Sequence, residues 1–429
     1  MEPALDQRDV VLTINVVEPA LVRAVKLQSE ALGRELQGLV LVHEQYASQE
    51  DRPKDDTGLF TEIICDFNDK DALQAVLEPY QDRLLVATCR YEEAIQPFAQ
   101  VIPFLPSLNT PTPESLHNSS DKSKMRKAIG DYDASLVPRF QYLEEVDLEN
   151  LEQLVAEFHY PVIVKPSGLS KSLLVTRCDT DDELKKCLDK TFGIIHDIYD
   201  REQYPGRKGV LVEEMMQGNM YSTDAYVMPD GEIFCLPLVK VVTAHSVGLP
   251  GFYGYHRSVP TGLPEAEVDR AFEAAKSAIR ALKLSSTTAH VEMFQTTQGW
   301  KIIEVAARMG GYRDALYREV YDNEHFYNDL SIRMGNKPTL PGDARRHANV
   351  LNMYADKEGE IDKIIGLEQA GEIASIVSLA SHAKSGDIAL FSENGGNPIV
   401  DAILSNEDKD QLEKDTAKVR ELVKIHIKN

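Results

Sequence analysis

Two glutamates, Glu292 and Glu304, have the spacing that most strongly indicates chemistry in this sequence. They lie in two apolar runs on either side of Thr297-Gln298-Gly299, and a three-residue loop that ends in Gly is typical of a β-hairpin. With that loop, Thr296 faces Trp300 and Glu292 lies directly opposite Glu304. Because like charges in opposed positions destabilise a sheet, the pair requires a cation. One or two Mg²⁺ ions are the obvious candidates, since Mg²⁺ binds few carboxylates and keeps sites for water and phosphate.

The residues around this hairpin bear on whether the two glutamates line a cleft. The alternative is an ordinary hairpin whose glutamates lie on a solvated face. His290, Phe294 and Ile302 share the face of the glutamates and favour a cleft floor. Arg308 and a pair of glycines follow directly, so a cation for an anionic substrate lies close to the predicted metal site.

A second set of residues, upstream, has the composition of a phosphate-binding loop. Lys165 ends an apolar run and precedes Ser167, Gly168 and Ser172. Small hydroxyl residues between two strands can fold over phosphates, with a lysine as a point charge. The alternative for Lys165 is a lysine in a solvated turn. Lys122 lies at a predicted helix start, and by itself it indicates only that start.

The elements that must position these residues follow from apolar patterning. Short apolar runs at 10–16, 39–43, 62–65 and 83–89 alternate with helical stretches, which predicts a small doubly wound parallel sheet over residues 1 to 110. The absence of GxGxxG after the first run argues against a dinucleotide site. Residues 103–120 are rich in Pro, Ser, Thr and Asn, which indicates a connector.

Further along the chain, the predicted elements are mostly strands. Thr180-x-x-Glu183 is a capping box that opens a helix to about residue 190, and residues 196–209 are predicted to be mobile. Strands are expected at 210–214, 221–228, 232–243 and in short runs over 347–404. Helices are expected at 265–284, 313–334 and 406–428. The loop 243–264 is too long and aromatic for a plain connector, so we expect it to close over a substrate, with His256 and Arg257 as candidate contacts.

Composition limits the classes of partner. The chain has 429 residues and a net charge of −23, so several lobes are expected, and nucleic acid and membranes are poor partners. The sequence has no 18-residue apolar run and no signal peptide. Its scattered cysteines, without CxxC pairs, predict a reducing, cytoplasmic compartment, and its histidines lack zinc-binding spacing. These cysteines are Cys65, Cys89, Cys178, Cys187 and Cys235.

The order of the motifs resembles that of the ATP-grasp superfamily of ligases. The resemblance covers about 118–335 and rests on five segments in order: Asp121-Lys122-x-x-Met125-Arg126, PVIVKPSGLSKS at 161–172, VLVEEMMQG at 210–218, VEMF at 291–294 and IIEVAARMGG at 302–311. In form, the last segment is most similar to bacterial L-amino acid ligases, which join two amino acids. It is less similar to biotin carboxylases or purine-pathway enzymes.

The resemblance implies roles for nucleotide and metal. Lys122, Lys165 and Ser172 would contact ATP, Glu292 and Glu304 would hold Mg²⁺ (or Mn²⁺), and a strand would lie along the adenine. The adenine-side residues are Glu213, Glu214 and Met216. The sequence departs from the family pattern in two places. Ala306 replaces the usual Asn metal ligand, which leaves open whether one or two ions bind, and the loop after Lys165 has a single Gly.

The resemblance also implies substrate contacts. Arg308 would face the transferred phosphoryl group or a substrate carboxylate and, with Lys165, would be catalytic. With Arg308, Gly311 would hold the carboxyl end of the substrate, and Tyr312 would line a side-chain pocket. Independently of the resemblance, His245 of the loop 243–264 is a candidate contact of the acceptor.

The fold class implied is α/β (α+β), with an N-terminal parallel-sheet lobe, a small lid and a larger lobe with an antiparallel sheet. We expect an N-terminal lobe at 1–115, a linker helix and lid at 116–210, the core with the metal hairpin at 211–340 and a C-terminal subdomain at 341–429.

The implied activity is ATP-dependent joining of a carboxylate to an amine through an acyl phosphate, with release of ADP. The partners are small-molecule acid and amine substrates, and a homodimer is possible. An ATP-grasp carboxylase or other carboxylate ligase is the first alternative. A nucleotide-binding protein without turnover is the second, and Ala306 and the glycine-poor loop favour it.

Overall fold

The computed structural model describes residues 8–48, 52–144, 158–169, 172–201, 208–249 and 251–428. Its first lobe consists of β1 (Val10–Ile14), α1 (Pro19–Leu32), β2 (Gln37–His43), α2 (Glu44–Ala47), β3 (Phe60–Cys65), α3 (Lys70–Leu77), β4 (Leu84–Thr88) and α4 (Glu92–Val101). The strands form a parallel sheet in the order β3-β2-β1-β4. Every residue of β1 and β4 is buried, as strands covered on both faces require. The predicted doubly wound parallel sheet is confirmed.

The segment predicted to be a connector contains a helix. After this lobe come α5 (Pro113–Ser120) and α6 (Lys122–Tyr132). The side chain of Thr112 caps α5 and Pro113 opens it, a start signal that the polar composition of the segment obscured. Asp121 caps α6 by accepting hydrogen bonds from the backbone N–H groups of Ser123 and Lys124, and the helix starts at Lys122 as predicted.

A small antiparallel sheet and one long helix follow. The strands β5 (Phe140–Leu143), β6 (Val162–Pro166), β7 (Thr176–Cys178) and β8 (Val210–Glu214) pair in the order β5-β8-β6-β7, and α7 (Asp181–Arg201) packs on them. Thr180 accepts a hydrogen bond from the N–H of Glu183, as in a capping box. The predicted end near residue 190 is wrong, because buried side chains recur to Ile195 and Tyr199. Residues 196–201, predicted to be mobile, are therefore helical, and 202–207 lie outside the described residues.

The large sheet holds most of the remaining strands. These are β9 (Asn219–Val227), β10 (Ile233–Cys235), β11 (Val239–Thr243), β12 (Gly254–Val259), β13 (Thr287–Thr296), β14 (Gly299–Ala306), β15 (His347–Met353), β16 (Gly359–Ile365), β17 (Ile376–Ser381), β18 (Ile388–Ala389), β19 (Val400–Asn406) and β20 (Lys424–Ile427). The helices among them are α8 (Glu265–Ala281), α9 (Arg313–Tyr321), α10 (His325–Arg333), α11 (Leu367–Gly371) and α12 (Lys409–Leu422). The sheet runs β14-β13-β9-β11-β12-β15-β19-β17, with β10 beside β9, and β18-β16-β20 form a smaller sheet.

Four predicted elements in this region are wrong in their extent. The strand predicted at 232–243 is divided into β10 and β11 around Pro237, which cannot donate to a ladder. The helix predicted at 313–334 is two helices, because Asp322 has a left-handed φ of 56°. The loop predicted at 243–264 contains β12, which pairs with β11 and β15. The terminal helix ends at Leu422, and β20 follows.

The first lobe and the large sheet are packed as one body. Leu12 and Leu39 of the parallel sheet share a buried cluster with Val291 and Ile302 of the hairpin. On the opposite face, α1 packs against Met309 and α10. The described helices include none that is long and apolar enough to span a bilayer. The hairpin therefore has a rigid base on which to position its glutamates.

Candidate functional site

The hairpin places Glu292 opposite Glu304, as predicted, but by a different register. The predicted three-residue loop is wrong: the turn is Thr297-Gln298, and Thr296 pairs with Gly299. A register shift between Glu292 and Met293 leaves one extra residue on β14 and restores the predicted pairing. Both carboxylates are only partly buried, at 29% and 26% exposure, and both line one cavity.

That cavity, of about 380 Å³, lies between the small sheet and the hairpin. Most of the predicted site residues line it: Lys122, Lys165, Ser172, Glu213, Glu214, Met216, His245, Glu292 and Glu304. Apolar side chains such as Ile163, Phe252 and Phe294 form much of the remaining wall. A cleft that combines apolar walls with a few convergent charged groups suits a flat heterocycle joined to phosphates. Ser170 and Lys171 of the predicted loop lie outside the described residues.

Lys165 is held by a buried carboxylate. Its Nζ lies 2.6 Å from Oε2 of Glu213, and Nε of Arg126 donates to Oε1 of Glu213 at 2.6 Å. Burial raises the pKa of Glu213, but Arg126 and Lys165 outweigh it and lower that pKa to about 2. Burial lowers the pKa of Lys165 to about 8, against the attraction of Glu213. Glu213 therefore fixes the lysine in place and is not a free carboxylate.

The low pKa of Lys165 predicts a pH dependence of nucleotide binding. If Lys165 contacts phosphate, affinity of the free protein for Mg·ATP falls by up to about tenfold per pH unit above about pH 8, where the amine loses its proton. The free energy of unfolding has the opposite pH dependence. Because the pKa of Lys165 is lower in the folded protein than in the unfolded chain, the contribution of Lys165 to this free energy rises from about pH 8 to about pH 10.4. Calorimetric titration across this range is the measurement. Lys165→Arg, which keeps its charge, is expected to show a flat profile, and a falling profile in that variant would contradict the assignment.

Lys122 bridges the hairpin and the loop after β6. Its Nζ lies 3.3 Å from Oε1 of Glu304 and donates to the carbonyl of Leu169 at 2.7 Å. The backbone N–H of Lys122 also donates to the carbonyl of Ser167, at 2.8 Å. The first turn of α6 is thus fastened to the loop, and its lysine faces one of the paired carboxylates.

Behind Glu292 lies a buried polar chain that sequence reasoning missed. His290 lies 3.3 Å from Glu292 through Nε2 and 2.6 Å from Asp224 through Nδ1. Nε2 of His325 lies 2.7 Å from the other oxygen of Asp224, and the N–H of Gly310 donates to that oxygen at 2.9 Å. Burial opposes ionisation of Asp224, but its histidine partners hold its pKa well below the usual range. The sequence signal was weak: an Asp within a segment predicted to be a strand.

The two glycines after Arg308 provide a matched test of this chain. A Cβ on Gly310 would lie 2.4 Å from Nδ1 of His290, whereas a Cβ on Gly311 meets nothing within 4 Å. Gly310→Ala is therefore expected to displace His290 from Asp224 and to lower the free energy of unfolding by about 1–3 kcal/mol. Gly311→Ala is expected to change it by less than about 0.5 kcal/mol. Urea denaturation measures both, and equal effects would show that the contact at Gly310 is not tight.

Arg308 is held between the lobes. Its Nε donates to Oε2 of Glu92 at 2.8 Å, and its NH1 donates to the carbonyl of Met309 at 3.0 Å. Burial opposes its charge, but Glu92 and Glu304 raise the pKa of Arg308 above its ordinary value. Glu92, the first residue of α4, is buried, and this raises its pKa. Arg308 does not line the cavity described above, although Glu304 lies within electrostatic range.

The remaining predicted substrate residues lie near β12 and the start of α9. Tyr312 has a φ of 62°, and its hydroxyl accepts a hydrogen bond from Asn352 at 2.7 Å. The carbonyl of Gly311 accepts from Arg313 at 3.0 Å. His245 lines the cavity and stacks on Phe252, with ring centroids 4.8 Å apart.

The candidate contacts on β12 differ in environment. Burial lowers the pKa of His256 to about 4, and His256 is not among the residues that line the cavity. Arg257 lies over the ring of Tyr312, with its guanidinium carbon 5.4 Å from the ring centroid. Burial therefore disfavours the charged form of His256, while Arg257 faces the predicted substrate residue Tyr312.

The donor chemistry of the hairpin fits a divalent cation with oxygen ligands. Two opposed carboxylates, both open to the cavity, are the ligands that Mg²⁺ takes from proteins when water and phosphate supply the rest. The described residues contain no group of three His, Cys, Asp or Glu side chains placed to hold a metal. Ala306 is buried and pairs with His290, so it adds no ligand.

Comparisons with known proteins bear on the domain that contains the cavity and on the overall fold. Residues 158–315 match the family model of the ATP-grasp domain. The fold is similar over 99% of this chain to the crystal structure of an L-amino acid ligase from Bacillus licheniformis, which is covered over 100% of its length (TM-score 0.73, 18% identity). It is also similar to N5-carboxyaminoimidazole ribonucleotide synthetase from Thermotoga maritima (TM-score 0.69, 18% identity, 98% of this chain and 100% of that one).

Among curated sequences, a D-alanine–D-alanine ligase of Streptococcus gordonii is 26% identical over 217 residues, which are 47% of this chain and 56% of that enzyme. The chain spans about half the length of the first curated relatives that it matches. The lobe arrangement is therefore that of the ATP-grasp fold, and the sequence match is concentrated in the segment that carries the cavity.

Proposed function

Because this chain carries an ATP-grasp domain and folds as ATP-grasp ligases do, we propose that it is an ADP-forming carboxylate–amine ligase that makes an amide bond. The proposed substrates are ATP and small molecules, at least one of them an amino acid. A cytoplasmic location is proposed on the five free cysteines, and a homodimer on the family resemblance.

One observation carries the proposal. Opposed carboxylates on the hairpin, Glu292 and Glu304, share one cavity with Lys122 and Lys165. Two acids and two bases around a cleft of nucleotide size suit a polyphosphate bound with a divalent cation. Mg²⁺ held by Glu292 and Glu304 would neutralise charge on the terminal phosphates.

The chain itself contributes positioning and charge. Met216 and the strand β8 lie along one cavity wall, where they would contact the adenine, with Glu214 beside them. Lys165, fixed by Glu213, and Lys122, fixed at the first turn of α6, would bind phosphate oxygens from two sides. These groups are arranged before the ligand arrives, so little reorganisation opposes the reaction.

The proposed reaction has two steps. A carboxylate oxygen of the acid substrate attacks the γ-phosphorus of ATP, the bond to the β–γ bridging oxygen breaks, and ADP leaves. The amine nitrogen then attacks the carbonyl carbon of the acyl phosphate, inorganic phosphate leaves, and the nitrogen releases a proton. Arg308, beyond Glu304 and anchored on Glu92, would orient the carboxylate and stabilise the charge that develops on the transferred phosphoryl group.

An ADP-release screen tests this proposal. The protein is incubated with Mg·ATP and the twenty amino acids in pairs, and the mass of any product is determined. ADP, phosphate and an amide in equal amounts would support the proposal. ADP formation with bicarbonate alone would favour a carboxylase instead. Binding of Mg·ATP by calorimetry, with no ADP from any acid, would favour a nucleotide-binding protein without turnover.

A further inference from the structure

Two arginines beside the candidate metal site have no carboxylate partner. Arg257, on β12, donates through NH1 to the carbonyl of Gly254 and to the side chain of Asn352. Arg313, the first residue of α9, donates to the carbonyl of Gly311 and to the hydroxyl of Ser222. Neither forms an ion pair with any Asp or Glu in the described parts of the chain. Nε of Arg313 is buried and has no hydrogen-bond partner among those residues.

Several other buried or partly buried arginines are paired with acids, although the buried Arg8 is bonded, among the described residues, only to the backbone carbonyl of Ser107. Arg126 contacts Glu213, Arg308 contacts Glu92, and Arg333 contacts Asp329. This is the usual outcome, because a buried charge without a partner is costly. In a chain with a net charge of −23, acids to pair with are plentiful. Two adjacent unpaired guanidinium groups therefore indicate an anion that comes from outside the chain.

The two arginines are close enough to repel each other. Burial lowers the pKa of Arg257, and the charge of Arg313 lowers it further. Both also act on Glu292, whose own pKa they help to lower. Arg257, Tyr312 and Tyr354 are each only partly buried, so part of each side chain is open to solvent.

The two arginines lie outside the lining of the cavity proposed for the nucleotide. Lys122 and Lys165 line that cavity, whereas Arg257 and Arg313 do not. Arg313 donates to Ser222, which pairs with Glu292 across the ladder, and Arg257 lies over the ring of the predicted substrate residue Tyr312. Arg308 is paired with Glu92, whereas Arg257 and Arg313 have no acid partner among the described residues.

We propose that Arg257 and Arg313 form an anion subsite that binds a carboxylate which the reaction does not activate. The inference rests on the proposed ligase function and names its substrate class: one substrate carries an anionic group besides the carboxylate that is phosphorylated. Two sources have the same chemistry, namely a second carboxylate on the acid substrate and the free carboxylate of an amino acid that serves as the amine. Guanidinium groups suit either, because their planar fork matches a carboxylate.

Matched pairs of ligands test the subsite by binding. Calorimetry in the presence of Mg²⁺ and a non-hydrolysable ATP analogue compares aspartate with asparagine, glutamate with glutamine, and succinate with succinamate for the acid. Glycine and glycinamide are compared for the amine. In at least one pair, the member with the extra carboxylate is expected to bind about 10- to 100-fold more tightly, the range for a charge-assisted contact. Which pair responds identifies the source.

Variants assign the preference to the arginines. Arg257→Gln is expected to reduce the preference to less than about threefold, Arg257→Lys to keep part of it, and neither to change the affinity for the nucleotide. Arg345→Gln, at an exposed ion pair, is the control and is expected to bind as the unchanged protein does. The proposal is overturned if no pair shows the preference, if Arg257→Gln weakens both members equally, or if it weakens only nucleotide binding.

The outcomes separate the subsite from the reaction. Preference for the extra carboxylate without amide formation would leave the subsite standing and remove the proposed reaction. Amide formation at full rate from an acid with one carboxylate and an amine with none would support the proposed reaction and remove the subsite.

Discussion

Replacing Glu304 with alanine is expected to lower substrate-dependent ADP formation at least about 100-fold, the scale for removing one preorganised electrostatic contact at a reacting phosphate. Glu304 is one of only two opposed carboxylates on the hairpin, and Lys122 lies 3.3 Å from it. Its loss leaves Glu292 to hold the cation alone and releases Lys122. The protein is expected to remain folded, because Glu304 is partly exposed and repels Glu292 across the strands.

The measurement is ADP release by the variant, with circular dichroism and thermal unfolding to establish folding. Glu273→Ala, which removes an exposed carboxylate from α8, is the matched control and is expected to keep full activity. Turnover retained by Glu304→Ala would remove the metal assignment.

Replacing Glu213 with alanine is expected to lower the free energy of unfolding by about 3–5 kcal/mol. Its carboxylate is fully buried between Arg126 and Lys165, at 2.6 Å from each. Without it, two buried cations lie next to each other with no counter-charge. The neighbouring residue offers a control: Glu214 is 28% exposed and pairs with the exposed Arg139, so Glu214→Ala is expected to cost less than about 1 kcal/mol.

Urea denaturation of both variants at neutral pH measures the difference. Since Glu213 also fixes Lys165, the Glu213 variant is expected to bind Mg·ATP more weakly than its loss of stability alone explains. Equal costs for the two variants would contradict the buried ion cluster.

Local sequence patterns were sufficient for the parallel sheet, whereas the opposed glutamates were predicted correctly from a wrong loop. The strand at 10–14 is apolar at every position except Thr13, as is typical of a strand covered on both faces. The pairing of Glu292 with Glu304 was predicted from a three-residue loop that does not exist. The turn is one residue shorter than predicted, and a bulge in β14 adds one residue, so the two differences cancel at the glutamates. The bulge could not be predicted from the hairpin sequence alone, because β9, on the other side of β13, also fixes the register of β13.

The ion pairs of the site were beyond sequence reasoning because they join distant segments. Glu92 and Arg308 are 216 positions apart, and Asp224 meets histidines 66 and 101 positions away. Which acid meets which base depends on how the lobes pack, and that is decided by the shared apolar core. The motif order predicted which lysines face the cavity, but it carried no information that Lys165 would be held by Glu213.

We propose that a substrate carboxylate is phosphorylated by ATP in the cavity above the paired glutamates. Oxygen-isotope transfer tests it most directly, with the acid substrate found in the ADP-release screen labelled with ¹⁸O in its carboxylate. An acyl phosphate requires one carboxylate oxygen to leave with the phosphoryl group, so one ¹⁸O atom per phosphate is expected by mass spectrometry. Amide formation with unlabelled phosphate would contradict the account.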